Sequence, residues 1–126
     1  MTFFIDNNLS QNLAAGMKAF GEDVVHLREL FPANAKDVEW LPVNGKHQYI
    51  LVTRDEEIRR EPSELAALKE NAVGAFFLGG KSLNRCQLIQ QLVRNWPRIK
   101  ELALKERRPF AFRIPPSGTK FTKIAL

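Results

Sequence analysis

The sequence predicts an α/β fold, a layered domain with a central, mainly parallel sheet flanked by helices, and three observations lead there. Short apolar runs alternate with amphipathic helical patterns along the chain, the order expected of βαβ units. Gly74-Ala75-Phe76-Phe77-Leu78-Gly79 is almost continuously apolar, as suits a central strand covered on both faces. Aspartates stand just beyond two of the apolar runs, at the rim of the sheet they would form.

The first strand is expected over Thr2 to Asp6, where Phe3-Phe4-Ile5 meets a carboxylate. After Asn7-Asn8-Leu9, Ser10 is the natural N-cap, since its hydroxyl accepts from first-turn amides. Leu13, Met17 and Phe20 then recur on one helix face, and Gly21 ends the helix. Val24 to Leu27 reads as the second strand, and Pro32 breaks the chain. Asp37 opens a short helix through Leu41, with Asp37 as its cap and Trp40 and Leu41 facing the core. Asn44-Gly45 is a turn signal ahead of a third strand, Gln48 to Thr53.

Glu61-Pro62-Ser63-Glu64 looks like a helix start, because proline is tolerated in the first turn, and Leu65 and Leu68 face inward. After the Gly74–Gly79 strand, a helix runs from about Leu83 to Trp96, with Leu88, Leu92 and Trp96 in one row beside Ile89 and Val93. Pro97 restarts a second helix toward Arg107. Phe110, Phe112 and Ile114 alternate, and Pro115-Pro116-Ser117-Gly118 separates them from Phe121 and Ile124, a pair of terminal strands compatible with a hairpin.

With 126 residues, the chain favours a single domain spanning 1–126, enough to bury roughly two-thirds of its unfolded surface. No apolar run approaches the roughly 20 residues of a membrane span, and no basic and apolar leader opens the chain, so a cytoplasmic protein without membrane contact is expected. Cys86 is alone, which excludes an internal disulfide. The net charge of +5 is unevenly distributed: residues 1 to 80 hold 8 Lys/Arg against 12 Asp/Glu, whereas the C-terminal segment 81–126 holds 11 against 2. Such a basic segment suits a polyanion, although it is also compatible with a solvated helix face. Arg54, Lys81 and Arg85 are candidates for phosphate contact.

The working site of an open α/β sheet lies outside the carboxyl ends of its strands, so Asp6 and Asp55, at separate strand ends, can meet in space. Asp37 is the third candidate. Acids gathered at one point raise one another's pKa unless a cation neutralises them, so a divalent-metal site is expected. Mg²⁺ or Mn²⁺ takes oxygen ligands and keeps several waters, and a pair of such ions can activate a water and stabilise a leaving oxygen. Asn7 and Asn8 can orient a water or a ligand. Structural alternatives stand beside each assignment: Asp37 as a cap, Asp6 paired with an arginine, Asp55 capping the next helix. Glu56-Glu57 and Arg59-Arg60 read as an exposed salt-bridged face. The tryptophans and phenylalanines read mostly as core, and His26, His47 and Cys86 lack metal-ligand spacing.

Phe4-Ile5-Asp6-Asn7-Asn8-Leu9, Asp23-Val24-Val25-His26-Leu27, Asp37-Val38-Glu39-Trp40-Leu41 and Leu51-Val52-Thr53-Arg54-Asp55 together resemble the compact PIN-like nucleases, close to VapC-type toxins of bacterial toxin–antitoxin pairs. The resemblance covers about residues 3 to 81. It implies a three-layer PIN-like domain in which Asp6, Asp37 and Asp55 hold Mg²⁺ or Mn²⁺ and hydrolyse RNA, with a cognate antitoxin as partner; a homodimer is left open. Asn7 stands where many relatives carry Glu, which leaves a fourth acidic ligand to Glu39, Glu56 or Glu57. Two other readings compete. A noncatalytic nucleic-acid-binding module would keep the fold and bind RNA without metal. A receiver-like phosphoacceptor would use Asp6, Asp55 and Lys81 but leaves Asp37 and the basic segment unexplained. A phosphatase with two acids separated by one residue is disfavoured by Asn8.

Overall fold

Side-chain alternation along the strands divides the core into two halves, one on each face of a sheet. The computed structural model describes residues 1–55 and 60–126. In chain order these form β1 (Phe3–Ile5), α1 (Gln11–Ala19), β2 (Val24–His26), α2 (Leu27–Leu30), α3 (Asp37–His47), β3 (Ile50–Thr53), α4 (Pro62–Glu70), β4 (Gly74–Leu78), α5 (Arg85–Lys105), β5 (Phe110–Ile114) and β6 (Thr122–Lys123). The sheet order is β2-β1-β3-β4-β5-β6. Neighbours from β2 to β5 pair in parallel, and β6 closes the edge antiparallel to β5. The terminal hairpin is therefore present.

Phe3, Ile5, Ile50, Val52, Phe76, Leu78, Phe110 and Phe112 project to one face, where α1 and α5 cover them through Ala14, Leu88, Leu92, Ile99 and Leu102. Phe4, Leu51, Ala75, Phe77 and Ala111 project to the other, against Leu27 of α2, Trp40 and Leu41 of α3 and Leu68 of α4. The result is an α/β/α sandwich. The step from β4 to β5 runs in the same direction as that from β3 to β4, yet α5 crosses the opposite face from α4. The two crossovers therefore differ in hand, a departure from the usual right-handed rule, and the departure sets α5 beside α1. Among the described residues, no helix is long and apolar enough to cross a membrane.

Three local expectations are corrected. The helix opened by Asp37 does not stop at Leu41: Asn44-Gly45 lies inside it, and Gln48, in the left-handed region at φ 58°, ends it instead. Gly45 is needed there because α3 presses on the residue that ends α4; an added Cβ would sit 2.2 Å from the Asn71 carbonyl oxygen. Pro97 does not restart a helix but lies within the single 21-residue α5. Its missing N–H costs one bond to the Val93 carbonyl, on a turn where Val93 is 67% exposed and water can substitute. Buried Leu92, Ile99 and Leu102 hold the helix together on both sides of the proline. Phe20 is not a core residue: α1 ends one residue before it, and the ring is 91% exposed.

Strand limits also shift. Leu27 opens α2 rather than closing β2, because the His26 side chain caps that helix, with Nδ1 accepting from the Arg28 N–H at 3.1 Å and Nε2 placed to donate to the Leu9 carbonyl at 2.8 Å. Gly45→Ala is expected to force α3 away from Asn71 at a cost of about 1–3 kcal/mol. Urea denaturation of the variant checks this; an unchanged midpoint would mean that the helices have slack at their contact.

Candidate active site

Two of the three candidate aspartates, Asp6 and Asp55, stand where the sheet changes direction. From β1 the chain steps outward to β2, and from β3 onward it steps the other way, so the carboxyl ends of β1 and β3 flank the crevice in which open α/β sheets bind ligands. Ile5 is in register with Val52, which leaves Asp6 and Thr53 side by side. Phe4 points to the α3/α4 face, and Asp6, two residues on, emerges on the same side by the two-residue period of a strand.

Asp6 is only 6% exposed. One carboxylate oxygen accepts from Thr53 Oγ1 at 2.7 Å, and the other accepts from the Asn7 N–H at 2.5 Å. Thr53 Oγ1 in turn accepts from the Asp55 N–H at 2.9 Å, so one buried hydroxyl joins two of the three aspartates. Asn8 Oδ1 accepts from the Arg54 N–H at 3.2 Å, and Asn7 Nδ2 donates to the Ala33 carbonyl at 2.9 Å. The two asparagines thus fix the end of β1 to β3 and to the loop before α3. Burial pushes the Asp6 carboxyl above its ordinary range, the bonds from Thr53 and Asn7 oppose that, and repulsion from Asp37 and Asp55 adds to it.

Asp37 is the first residue of α3, and the N-cap is Lys36, so Asp37 is not the cap the sequence suggested. Glu39 accepts from the Lys36 N–H at 3.1 Å and completes the capping box, which occupies the side chain considered as a substitute ligand. Burial pushes the Asp37 carboxyl up to about 7, helped by a hydrogen bond to Glu64 and by repulsion from Glu64 and Asp55. Sequence reasoning passed over Glu64. It lies in the first turn of α4, and a helix start soon after Asp55 was the signal that could have placed it over the same edge. The positive ends of the α3 and α4 dipoles offset part of the repulsion. Glu64 Oε2 is buried without a hydrogen-bond partner.

The basic residues divide between the two edges of the sheet. Lys81 and Arg85 are exposed where β4 leads into α5, at the carboxyl edge. Arg54 Nη2 is engaged there, donating to the carbonyls of Gly80 at 3.1 Å and Lys81 at 3.3 Å. Lys105, Arg107 and Arg108 lie at the opposite edge, where α5 returns toward β5. Lys100 pairs with Glu22, Arg98 with Glu101 and Lys123 with Glu106. The basic segment 81–126 is thus not one continuous cationic surface. Glu56, Glu57 and Arg59 lie outside the described residues.

Among the described residues, no three His, Cys, Asp or Glu side chains are drawn together as a ready cage for a metal ion. The chemistry of the donors nonetheless suits a hydrated Mg²⁺ or Mn²⁺: carboxylates that repel one another, and one buried carboxylate oxygen lacking a partner.

A sheet of this order with carboxylates at its reversal point defines an α/β protein with an acidic crevice at the carboxyl ends of β1 and β3. The chain belongs to the PIN-like domain family, whose family model matches residues 1–80. That family is nuclease-related, and its domains typically bind divalent metals. Neither curated proteins nor solved structures give a match to the chain.

A carboxyl raised in the folded state favours folding fully below its unfolded value of 3.8, and that contribution is lost as pH rises through about 7. In metal-free buffer, Asp37→Asn is therefore expected to gain stability over the parent as pH rises through that window, on the order of 1–2 kcal/mol after solvent screening. Thermal melts in EDTA across this range test it; parallel melting curves at every pH would contradict the repulsion.

Proposed function

We propose that this protein is a metal-dependent endoribonuclease that hydrolyses RNA phosphodiester bonds with Mg²⁺ or Mn²⁺. The observation that supports this reading is the acidic crevice at the sheet's reversal point, where buried Asp6 is repelled by Asp37 and Asp55, and Asp37 by Asp55. The family match supports a nuclease over a receiver-like phosphoacceptor. Asp6, Asp37 and Asp55 bind the cation, directly or through water. Thr53 and the Asn7 N–H hold the Asp6 carboxylate in one orientation. When bound, the metal supplies an activated water and stabilises charge on the leaving oxygen. Lys81, on a loop that Arg54 holds in place, and Arg85, the first residue of α5, bind the RNA backbone along the same edge. Arg54 therefore serves phosphate binding by positioning that loop.

The whole chain acts as one PIN-like domain in this reading, because α5 and β5 supply half of the core that carries Asp6. The resemblance of its motifs to VapC-type toxins further supports a toxin role, with RNA as substrate and a cognate antitoxin as partner in the cytoplasm. Growth arrest on induced expression, relieved by the product of a neighbouring frame encoding a small DNA-binding protein, tests that role.

Incubation with mixed RNA is expected to give cleavage with Mn²⁺ and none with EDTA, and Asp6→Asn or Asp55→Asn should abolish cleavage in a folded protein. RNA binding that persists in EDTA, with no cleavage under any metal, would establish a noncatalytic binding module instead. Labelling of Asp55 by acetyl phosphate would favour the receiver-like reading. Lys81→Ala and Arg85→Ala should each weaken RNA binding and lower the slope of log affinity against log salt by about 1; an unchanged slope would remove those two residues from the phosphate contacts.

A further inference from the structure

The core does not use up the apolar surface of α1 and α5. On the outer side of α5, Ile89, Val93, Pro97 and Leu104 fall in one row at helical spacing, and Ile89, Val93 and Leu104 are 48, 67 and 76% exposed. Between this row and α1 runs a groove of about 440 Å³, walled by Leu13, Met17 and Phe20 on one side and by Ile89, Val93 and Trp96 on the other. Phe20, the C-cap of α1, stands at the rim and is 91% exposed. A ring in that position gains almost nothing from the chain's own core, so the stability of a single copy does not account for it.

The same face therefore carries a projection and a recess. A two-fold contact requires this kind of self-complementarity, since each copy must offer both halves of the fit. At roughly 150–250 Å² for an aromatic side chain and somewhat less for an aliphatic one, Phe20, Ile89, Val93 and Leu104 together expose on the order of 400–500 Å² of apolar surface. A standard interface buries about 800 Å² per partner, of which just over half is apolar, so the patch matches one side of a dimer. The charges beside it are also accommodated. Glu22 lines the groove and is answered within the same copy by Lys100 at 3.1 Å, and Lys18 of α1 is answered by Glu29. Two chains of net charge +5 can thus bring these faces together without opposing unpaired charges from those four residues.

We propose that the groove between α1 and α5 is the contact surface for a second copy of this chain, with Phe20 of each copy entering the groove of the other about a two-fold axis. The acidic crevice stays uncovered in both copies, because Asp6 emerges on the α3/α4 side of the sheet, away from this face. The inference goes beyond the nuclease reading and does not depend on it, so metal-free protein pairs equally well.

Sedimentation equilibrium of the full chain in metal-free buffer, from about 1 to 200 µM, tests the proposal. The expected result is a reversible rise from the mass of one chain to that of two, with association at least about tenfold weaker for Phe20→Asp and for Val93→Lys. Both positions are largely exposed, so the variants should fold, which circular dichroism checks. Val38→Lys is the control: the residue is 65% exposed on α3, across the sheet from the groove, and its replacement should leave association unchanged. A parent that remains a single chain at the highest concentration, or a dimer that Phe20→Asp and Val93→Lys both leave intact, would overturn the proposal. Masses that climb past two copies would overturn the two-fold arrangement, since a head-to-tail contact keeps adding chains. A monomeric parent that floats with phosphatidylcholine vesicles, and ceases to do so as Phe20→Asp, would assign the groove to a lipid surface instead.

Discussion

Asp6 brings a carboxylate to a place that water scarcely reaches, and the end of the sheet is organised around that fact. A charge there is tolerated only if its oxygens are bonded. Thr53 Oγ1 and the Asn7 N–H supply those bonds. Because Thr53 is the last residue of β3 and also receives the Asp55 amide, the requirement of one buried acid fixes where the next one stands. The parallel register of β1 and β3 makes this possible, for it brings residues 47 positions apart into direct contact. The acidic character of the crevice therefore follows from strand pairing as much as from side-chain choice.

Much of this was legible in the chain. Apolar runs that end in aspartate mark strand ends, so the placement of Asp6 and Asp55 beyond the ends of neighbouring parallel strands was legible in the sequence. The place of Asp37 at a helix start was also legible, though its role as a cap was not correct, since Lys36 precedes it. The nearness of Glu64 to Asp37 was not legible: on sequence Glu64 is one acid in a polar helix start, and only the packing of α4 against α3 brings it to Asp37. The two helix limits misread at Asn44-Gly45 and Pro97 share a cause. Both are local breaking signals overridden by tertiary contacts, the first by close packing against Asn71 and the second by buried residues on either side of the proline.

The C-terminal third shows the limit of charge counting. Its lysines and arginines are neighbours in sequence, but α5 spans the molecule and delivers them to opposite edges. What the segment contributes beside the acids is a braced loop. Arg54 holds it from β3 through the carbonyls of Gly80 and Lys81, and Gln91 of α5 holds it from the other side, with Nε2 donating to Gly79 and Pro115 carbonyls at 2.9 Å each. A Cβ on Gly79 would lie 3.0 Å from the Ile114 carbonyl oxygen and would displace the Arg113 guanidinium. Lys81 therefore projects from a loop held by hydrogen bonds on both sides, and in the proposed function that hold reduces the entropy lost on meeting RNA.

The unusual crossing of α5 has a consequence for where the molecule can be divided. The family match stops at residue 80, before this helix begins, yet Leu88, Leu92, Ile99 and Leu102 shield Phe3, Ile5, Ile50 and Val52 from water. A fragment cut at that boundary would retain every acid of the crevice and lose the lid over half of its oily interior. The bare sheet would then be a sticky surface next to an unpaired β4 edge, prone to self-association. The matched stretch and the packed core thus have different limits, for residues beyond 80 cover, together with α1, one whole face of the sheet that the matched stretch begins.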